Sequence, residues 1–279
     1  MKKYYILLCA ALLATHIHAQ LFDKPFGVQT YTFRKQMPKN VEGVLDTIKL
    51  FGITELETGV PKGMTPEAFK KLCNDRGISI PSTGGGYEQL VRNPDSLADI
   101  AKRLGASYLM CAWIPHKKRG SFTFEEAKKA VEDFNKIGKA LHVKGITFCY
   151  HDHGYEFQPY GKGTLMDYII ENTDPQYVSF EMDVLWTVHG GGDPVKLLKK
   201  YKGRWKLMHV KDLRKGIKGD LTGGTPAEND VVVGEGQADW RKILKVAKKV
   251  GVKHFFIEDE SNIEMVNVPK SIAYLKGLK

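Results

Sequence analysis

Residues able to bind cations and move protons recur in this sequence as pairs two positions apart. They are Glu55 and Glu57, His151 and His153 with Glu156 three residues on, Glu181 and Asp183, His209 and Lys211, and Glu258 and Glu260. A spacing of two puts both members of a pair on one face of a strand. Carboxylates gathered in a protein interior repel one another unless a cation neutralises them. Carboxylate oxygens with one or two imidazoles suit one divalent metal: Mn²⁺, Mg²⁺, Co²⁺ or Zn²⁺. The chain has no HExxH, CxxC pair or P-loop, so metal binding rests on this arrangement and not on a local motif. The glycine run 84–86 lacks the Lys-Ser/Thr of a phosphate loop. Tyr31-Thr32-Phe33-Arg34 stands where a dinucleotide fingerprint would follow a first strand, so no nucleotide cofactor is expected.

The pairs need elements to position them. Apolar or β-branched runs predict strands over 26–33, 55–58, 78–82, 108–114, 146–150, 178–183, 206–210 and 254–258. Between and after them, helical periodicity predicts helices over 41–51, 65–76, 94–104, 124–142, 165–172, 194–201, 240–250 and 268–278. Caps mark several helix starts: Thr65 before Pro66, the Thr123–Glu126 capping box, Asp193 before Pro194, and Asp239. Strict alternation implies parallel strands joined by right-handed crossovers. Eight such units in about 250 residues predict the α/β class and a single (β/α)8 TIM barrel. Reactive groups then belong at the C-terminal strand ends, where the pairs of strands two, five, six, seven and eight fall. Asp193-Pro194 reads as a helix start, His189 as loop surface, and 213–236 as a long polar loop with six glycines.

Composition narrows the classes. The chain has 279 residues, 42% hydrophobic, 27% charged and 10% aromatic, which excludes disordered, collagen-like and polytopic membrane proteins. Lys2 and Lys3, an apolar run over 4–14 and Ala19-Gln20 predict a signal peptide over 1–19, a barrel domain over 20–279, and a periplasmic or secreted protein. The run is too short for a stable membrane anchor, and Cys9 has no lipobox. Removing the two lysines lowers the net charge from +10 to +8. That charge is spread over helix faces (Lys128-Lys129, Lys199-Lys200, Lys248-Lys249), so no nucleic-acid partner is expected. Cys73, Cys111 and Cys149 read as buried thiols.

Together these segments resemble the xylose-isomerase-like barrel family, in its sugar phosphate isomerase/epimerase branch. They are Tyr-His-Asp-His-Gly-Tyr-Glu-Phe at 150–157, Glu-Met-Asp-Val-Leu-Trp at 181–186, Gly-Gly-Asp-Pro at 191–194, His-Val-Lys-Asp at 209–212, Val-Gly-Glu-Gly…Asp-Trp at 233–240, and Phe-Ile-Glu-Asp at 256–259. The resemblance implies one metal held by Glu156, Asp183, His209 and Glu258, with Glu156 and Glu258 also moving the proton. Asp152 replaces the commoner Asn, with little effect expected. The implied activity is sugar isomerisation or epimerisation by proton abstraction next to a carbonyl, through an enediolate. The same site in a keto-glycoside lyase or hydratase is the alternative. A non-catalytic sugar-binding barrel is a further one, and an abasic-site endonuclease the least favoured. Substrate contacts are expected from His151, His153, Lys211 and Glu57, and from the aromatic rings of Tyr31, Trp113 and Trp186. The partner is then a small sugar or keto-glycoside. The sequence leaves the sugar, the metal and any homo-oligomer open.

Overall fold

The computed structural model describes residues 26–117 and 122–278, so the expected signal peptide lies outside the described residues. The barrel strands are β1 (Gly27–Gln29), β2 (Glu55–Glu57), β3 (Ser79–Gly84), β4 (Tyr108–Cys111), β5 (Thr147–His151), β6 (Val178–Asp183), β7 (Trp205–Val210) and β8 (His254–Ile257). All their pairings are parallel, and β1 closes the ring between β2 and β8. The helices are α1 (Val41–Leu50), α2 (Pro66–Asn74), α3 (Tyr87–Arg92), α4 (Pro94–Leu104), α5 (Phe124–Val143), α6 (Leu165–Asn172), α7 (Val184–His189), α8 (Pro194–Lys200), α9 (Trp240–Val250) and α10 (Glu264–Gly277). This is the (β/α)8 barrel expected from the alternation, with α3 and α7 added at the C-terminal rim.

Local chemistry explains most boundaries. Thr123 and Glu126 form the reciprocal capping box, with Thr123 N–H donating to Glu126 Oε2 at 2.7 Å. Asp193 and Asp239 cap α8 and α9 through the amides of Lys196 and Lys242. The α9 helix buries Trp240, Ile243, Leu244, Ala247 and Val250 against the barrel and turns its lysines outward. The expected first strand stops early. The Gln29 side chain accepts the Tyr31 amide at 3.1 Å, and Thr30–Phe33 becomes a 3-10 turn. Likewise α10 starts at Glu264, before the predicted 268.

The main core lies between strands and helices, where outward residues such as Phe148, Phe180 and Met208 are fully buried. Inside the barrel, Cys149, Leu207 and Phe256 fill a lower layer. Glu55 pairs there with His254, Oε2 to Nδ1 at 2.8 Å. The free cysteines Cys73, Cys111 and Cys149 are buried, and burial pushes the Cys73 and Cys111 thiols up to about 12. Among the described residues no helix is long and apolar enough to cross a membrane.

Candidate active site

Four carboxylates and two imidazoles meet above that apolar layer. Register sets the neighbours: His151 is level with Glu181, and Asp183 with His209. The two-residue period of each strand turns all of them inward. His151 Nδ1 lies 3.1 Å from Glu181 Oε2, and its Nε2 lies 3.8 Å from Asp183 Oδ2. His209 Nδ1 lies 3.2 Å from Glu258 Oε2 and 3.7 Å from Asp183 Oδ2, while its Nε2 lies 2.7 Å from Glu57 Oε1. His151, Asp183 and His209 offer ligand atoms within 4.8 Å of one another, as do Glu57, Glu181 and His209. Asp183 Oδ2 and Glu181 Oε1 are buried with no hydrogen-bond partner. A buried carboxylate oxygen without a donor costs several kcal/mol, roughly, so these side chains fit a divalent cation.

Lys211 balances part of this charge. Its ammonium lies 3.0 Å from Glu258 Oε2, 4.0 Å from Asp183 Oδ2, beside Glu260, and 5.3 Å from the Trp186 ring centroid. Burial disfavours the Lys211 charge, but Glu258, Glu260 and Asp183 raise its pKa well above the ordinary value. Burial also disfavours the Glu258 anion, yet Lys211 and His209 hold its carboxyl well below the usual range. Lys211 and His209 thus favour the Glu258 anion at the base of the pocket. Burial and Glu57 push the Glu181 carboxyl well up.

A cavity of about 480 Å³ opens above the cage, with His151, His209, Glu258 and Glu260 at its base. Gln29, Tyr31, Thr58, Trp113, His153 and Trp186 contribute to its walls. His153 stacks on Trp186 with centroids 5.5 Å apart and meets the edge of Trp113 at 5.3 Å. Burial, then Lys211, push its pKa down to about 4, so the ring is neutral. Gly223, Gly224 and Thr225 of the long loop complete the mouth. That loop is pinned at one end by Asp212, which accepts from the amides of Gly234, Gly236 and Ala238 and from Trp240 Nε1. Its middle sits on His189, which is buried rather than loop surface as the sequence suggested. A Cβ at Gly219 would lie 1.8 Å from the His189 carbonyl oxygen, so only glycine allows this approach.

Several expected residues are placed elsewhere. Glu156 is not in the cage. Its carboxylate accepts from Tyr150 OH and from the His153 amide at 3.0 Å, inside the wall where Tyr150 packs on Phe134 of α5. Burial pushes its pKa up to about 7. The turn responsible is Gly154, whose φ of 88° starts a 3-10 turn and rotates the chain outward. Glu57, expected to touch substrate, is fully buried beneath Gln29. Lys211 is likewise covered, and it meets the pocket-lining side chains of Glu258, Glu260 and Trp186 from behind. Asp152 is buried and accepts from the Asp183 amide at 3.0 Å and Thr187 Oγ1 at 2.8 Å, so it braces the start of α7. Glu181 was visible as the partner of Asp183 two residues away, but not as a carboxylate behind His151. Since Glu156 lies outside the cage, Glu156→Gln should leave cation stoichiometry unchanged in metal analysis; loss of the ion would put Glu156 back among the ligands.

Residues 45–278 match the xylose isomerase-like TIM barrel family, and the chain belongs to it. An inosose dehydratase of Bacillus cereus (strain AH820) is 26% identical over 253 residues, covering 81% of this chain and 84% of the relative. An inosose dehydratase of Bacillus anthracis is 33% identical over 198 residues, covering 63% and 64%. A solved sugar phosphate isomerase/epimerase of Parabacteroides distasonis superposes with a TM-score of 0.75 at 26% identity, covering 91% of this chain and 93% of that one.

Proposed function

We propose that the protein is a divalent-cation-dependent lyase of keto-sugars, keto-cyclitols or keto-glycosides, eliminating an oxygen substituent two carbons from the carbonyl carbon. The observation that carries this reading is the displacement of Glu156: of the two glutamates expected to move the proton, Glu258 lines the pocket and Glu156 does not. Reversing a stereocentre is served by a proton carrier on each side of the substrate, whereas a transfer between adjacent carbons on one face can use a single base. Here the second expected carrier, Glu156, faces the wall, and the His151 imidazole stands in the cage in its place. Elimination needs one base. Glu258 takes the proton from the carbon next to the carbonyl, the C–H electron pair becomes a C=C bond, and the C–O bond breaks. The departing oxygen, with the neutral His153 ring placed to donate a hydrogen bond to it, takes up the proton that Glu258 removed, relayed through water, and leaves as water or an alcohol. A bound divalent cation supplies Lewis acidity to the carbonyl oxygen. Lys211 keeps Glu258 ionised, and the Trp113, His153 and Trp186 rings exclude water from the sugar faces. Likeness to named dehydratases supports this reading.

The second reading, isomerase or epimerase, shares the first step and is favoured by the likeness to the Parabacteroides distasonis structure. Product analysis by NMR in deuterated water separates them. With a keto-inositol and a 3-keto-glucoside as substrates, the lyase releases water or the aglycone and forms an unsaturated ketone. A deuterated product with every C–O bond retained overturns the lyase in favour of the isomerase. Cation binding without turnover or exchange on either substrate overturns both in favour of a sugar-binding barrel.

A further inference from the structure

Glu57 is built into the barrel more firmly than a substrate contact would be. Its Oε1 accepts from Gln29 Nε2 at 2.7 Å and lies 2.7 Å from His209 Nε2, while Oε2 accepts from Ser82 Oγ at 2.5 Å. Four strands thus converge on one fully buried carboxylate: β1 through Gln29, β2 through Glu57, β3 through Ser82 and β7 through His209. Gln29 closes it off from the cavity. An imidazole that donates one ring N–H to a carboxylate has its tautomer and its ring plane set by that bond. With Nε2 committed to Glu57, the nitrogen left facing Asp183 and Glu258 is Nδ1, at 3.7 and 3.2 Å.

We propose that Glu57 is a positioning residue that holds His209 as the Nε2–H tautomer, so that Nδ1 presents its lone pair to the cation cage. This rests on the cation reading of the site and deepens it. The carboxylate never touches substrate or cation; it acts through the ring. The same geometry assigns the Glu57–Glu181–His209 group a supporting role and leaves a single cation position above it, among His151, Asp183, His209 and Glu258.

The test uses zinc alone as the probe, with the full chain. Glu57→Met removes the acceptor at similar size, and Glu57→Gln keeps an oxygen that can accept from Nε2–H. Calorimetric titration should show zinc affinity falling about 10–100-fold in Glu57→Met, the range for losing such a partner, and most of it returning in Glu57→Gln. Burial disfavours the His209 charge, but Glu181, Glu258 and Asp183 raise its pKa well above the ordinary value, so long-range ¹⁵N–¹H spectra are recorded at a pH high enough to remove the second ring proton. They should show Nε2–H alone in the wild type and mixed tautomers in Glu57→Met. Ser82→Ala, which frees Oε2 only, should give an intermediate loss, and it carries the test if Glu57→Met does not fold. Wild-type affinity with an unchanged tautomer in Glu57→Met overturns the proposal. So does a Glu57→Gln variant as weak as Glu57→Met, which would make charge, not the acceptor, the operative feature. Wild-type protein that takes up no zinc removes the cation reading, and the tautomer spectra of the metal-free chain then judge Glu57 by themselves.

Discussion

Asp183→Asn should empty the cation site. Asp183 Oδ1 caps α7 by accepting the Trp186 amide at 2.9 Å, and Oδ2 is the buried oxygen without a partner. Asparagine keeps an oxygen for the cap and replaces the anionic Oδ2 with an amide, so fold and site separate in one variant. Asp183→Ala would remove both, with about 1 kcal/mol of lost capping added to the result. Losing a partner behind a metal ligand costs about 10–100-fold in affinity, so losing a central oxygen should cost more than ~10²-fold. Metal analysis after dialysis should find little cation in Asp183→Asn, while its circular dichroism and unfolding midpoint stay near wild type. Full occupancy would show that the cage is not where the cation sits.

The second large effect is on the proton. Glu258→Gln should slow solvent-deuterium incorporation next to the carbonyl of a keto-sugar by ~10²-fold or more, the scale for losing a general base. Its carboxylate is kept ionised by Lys211 at 3.0 Å and lines the cavity, whereas Glu156 does not. Glutamine removes the basic oxygen but keeps a similar shape. The measurement is made at saturating cation, with occupancy read on the same sample, so that a weaker cage is not mistaken for a missing base. Chelator should stop exchange in the wild type. A Glu258→Gln protein that holds its cation and exchanges at the wild-type rate would move the base to another group.

These two residues illustrate what could be seen in the chain without its fold. Period-two spacing along apolar strands turned His151, Asp183, His209 and Glu258 to one side, and the barrel rule assigned that side to the pocket. The helix starts at Thr65, Thr123, Asp193 and Asp239 were likewise legible, because a cap is a local hydrogen bond between residues three apart. Parity holds only while the strand lasts. β5 ends at His151, and beyond it Gly154 in the left-handed region takes Glu156 out of the set that the resemblance implied.

Depth was also invisible in the sequence. Glu57 and Glu258 both turn inward, yet one lies sealed beneath Gln29 and the other lines the cavity, because the stagger of tilted strands sets the height of each residue along the barrel. The same stagger lowers Glu55 to His254 and places Glu181 behind His151 instead of beside the pocket. The sequence by itself determined which side chains are inward and what chemistry they can do, since both follow from local periodicity and residue type. Only the tertiary structure decided which carboxylate stands behind which imidazole, which one meets the cavity, and that the 213–236 loop rests on His189, because each depends on register between strands far apart in the chain.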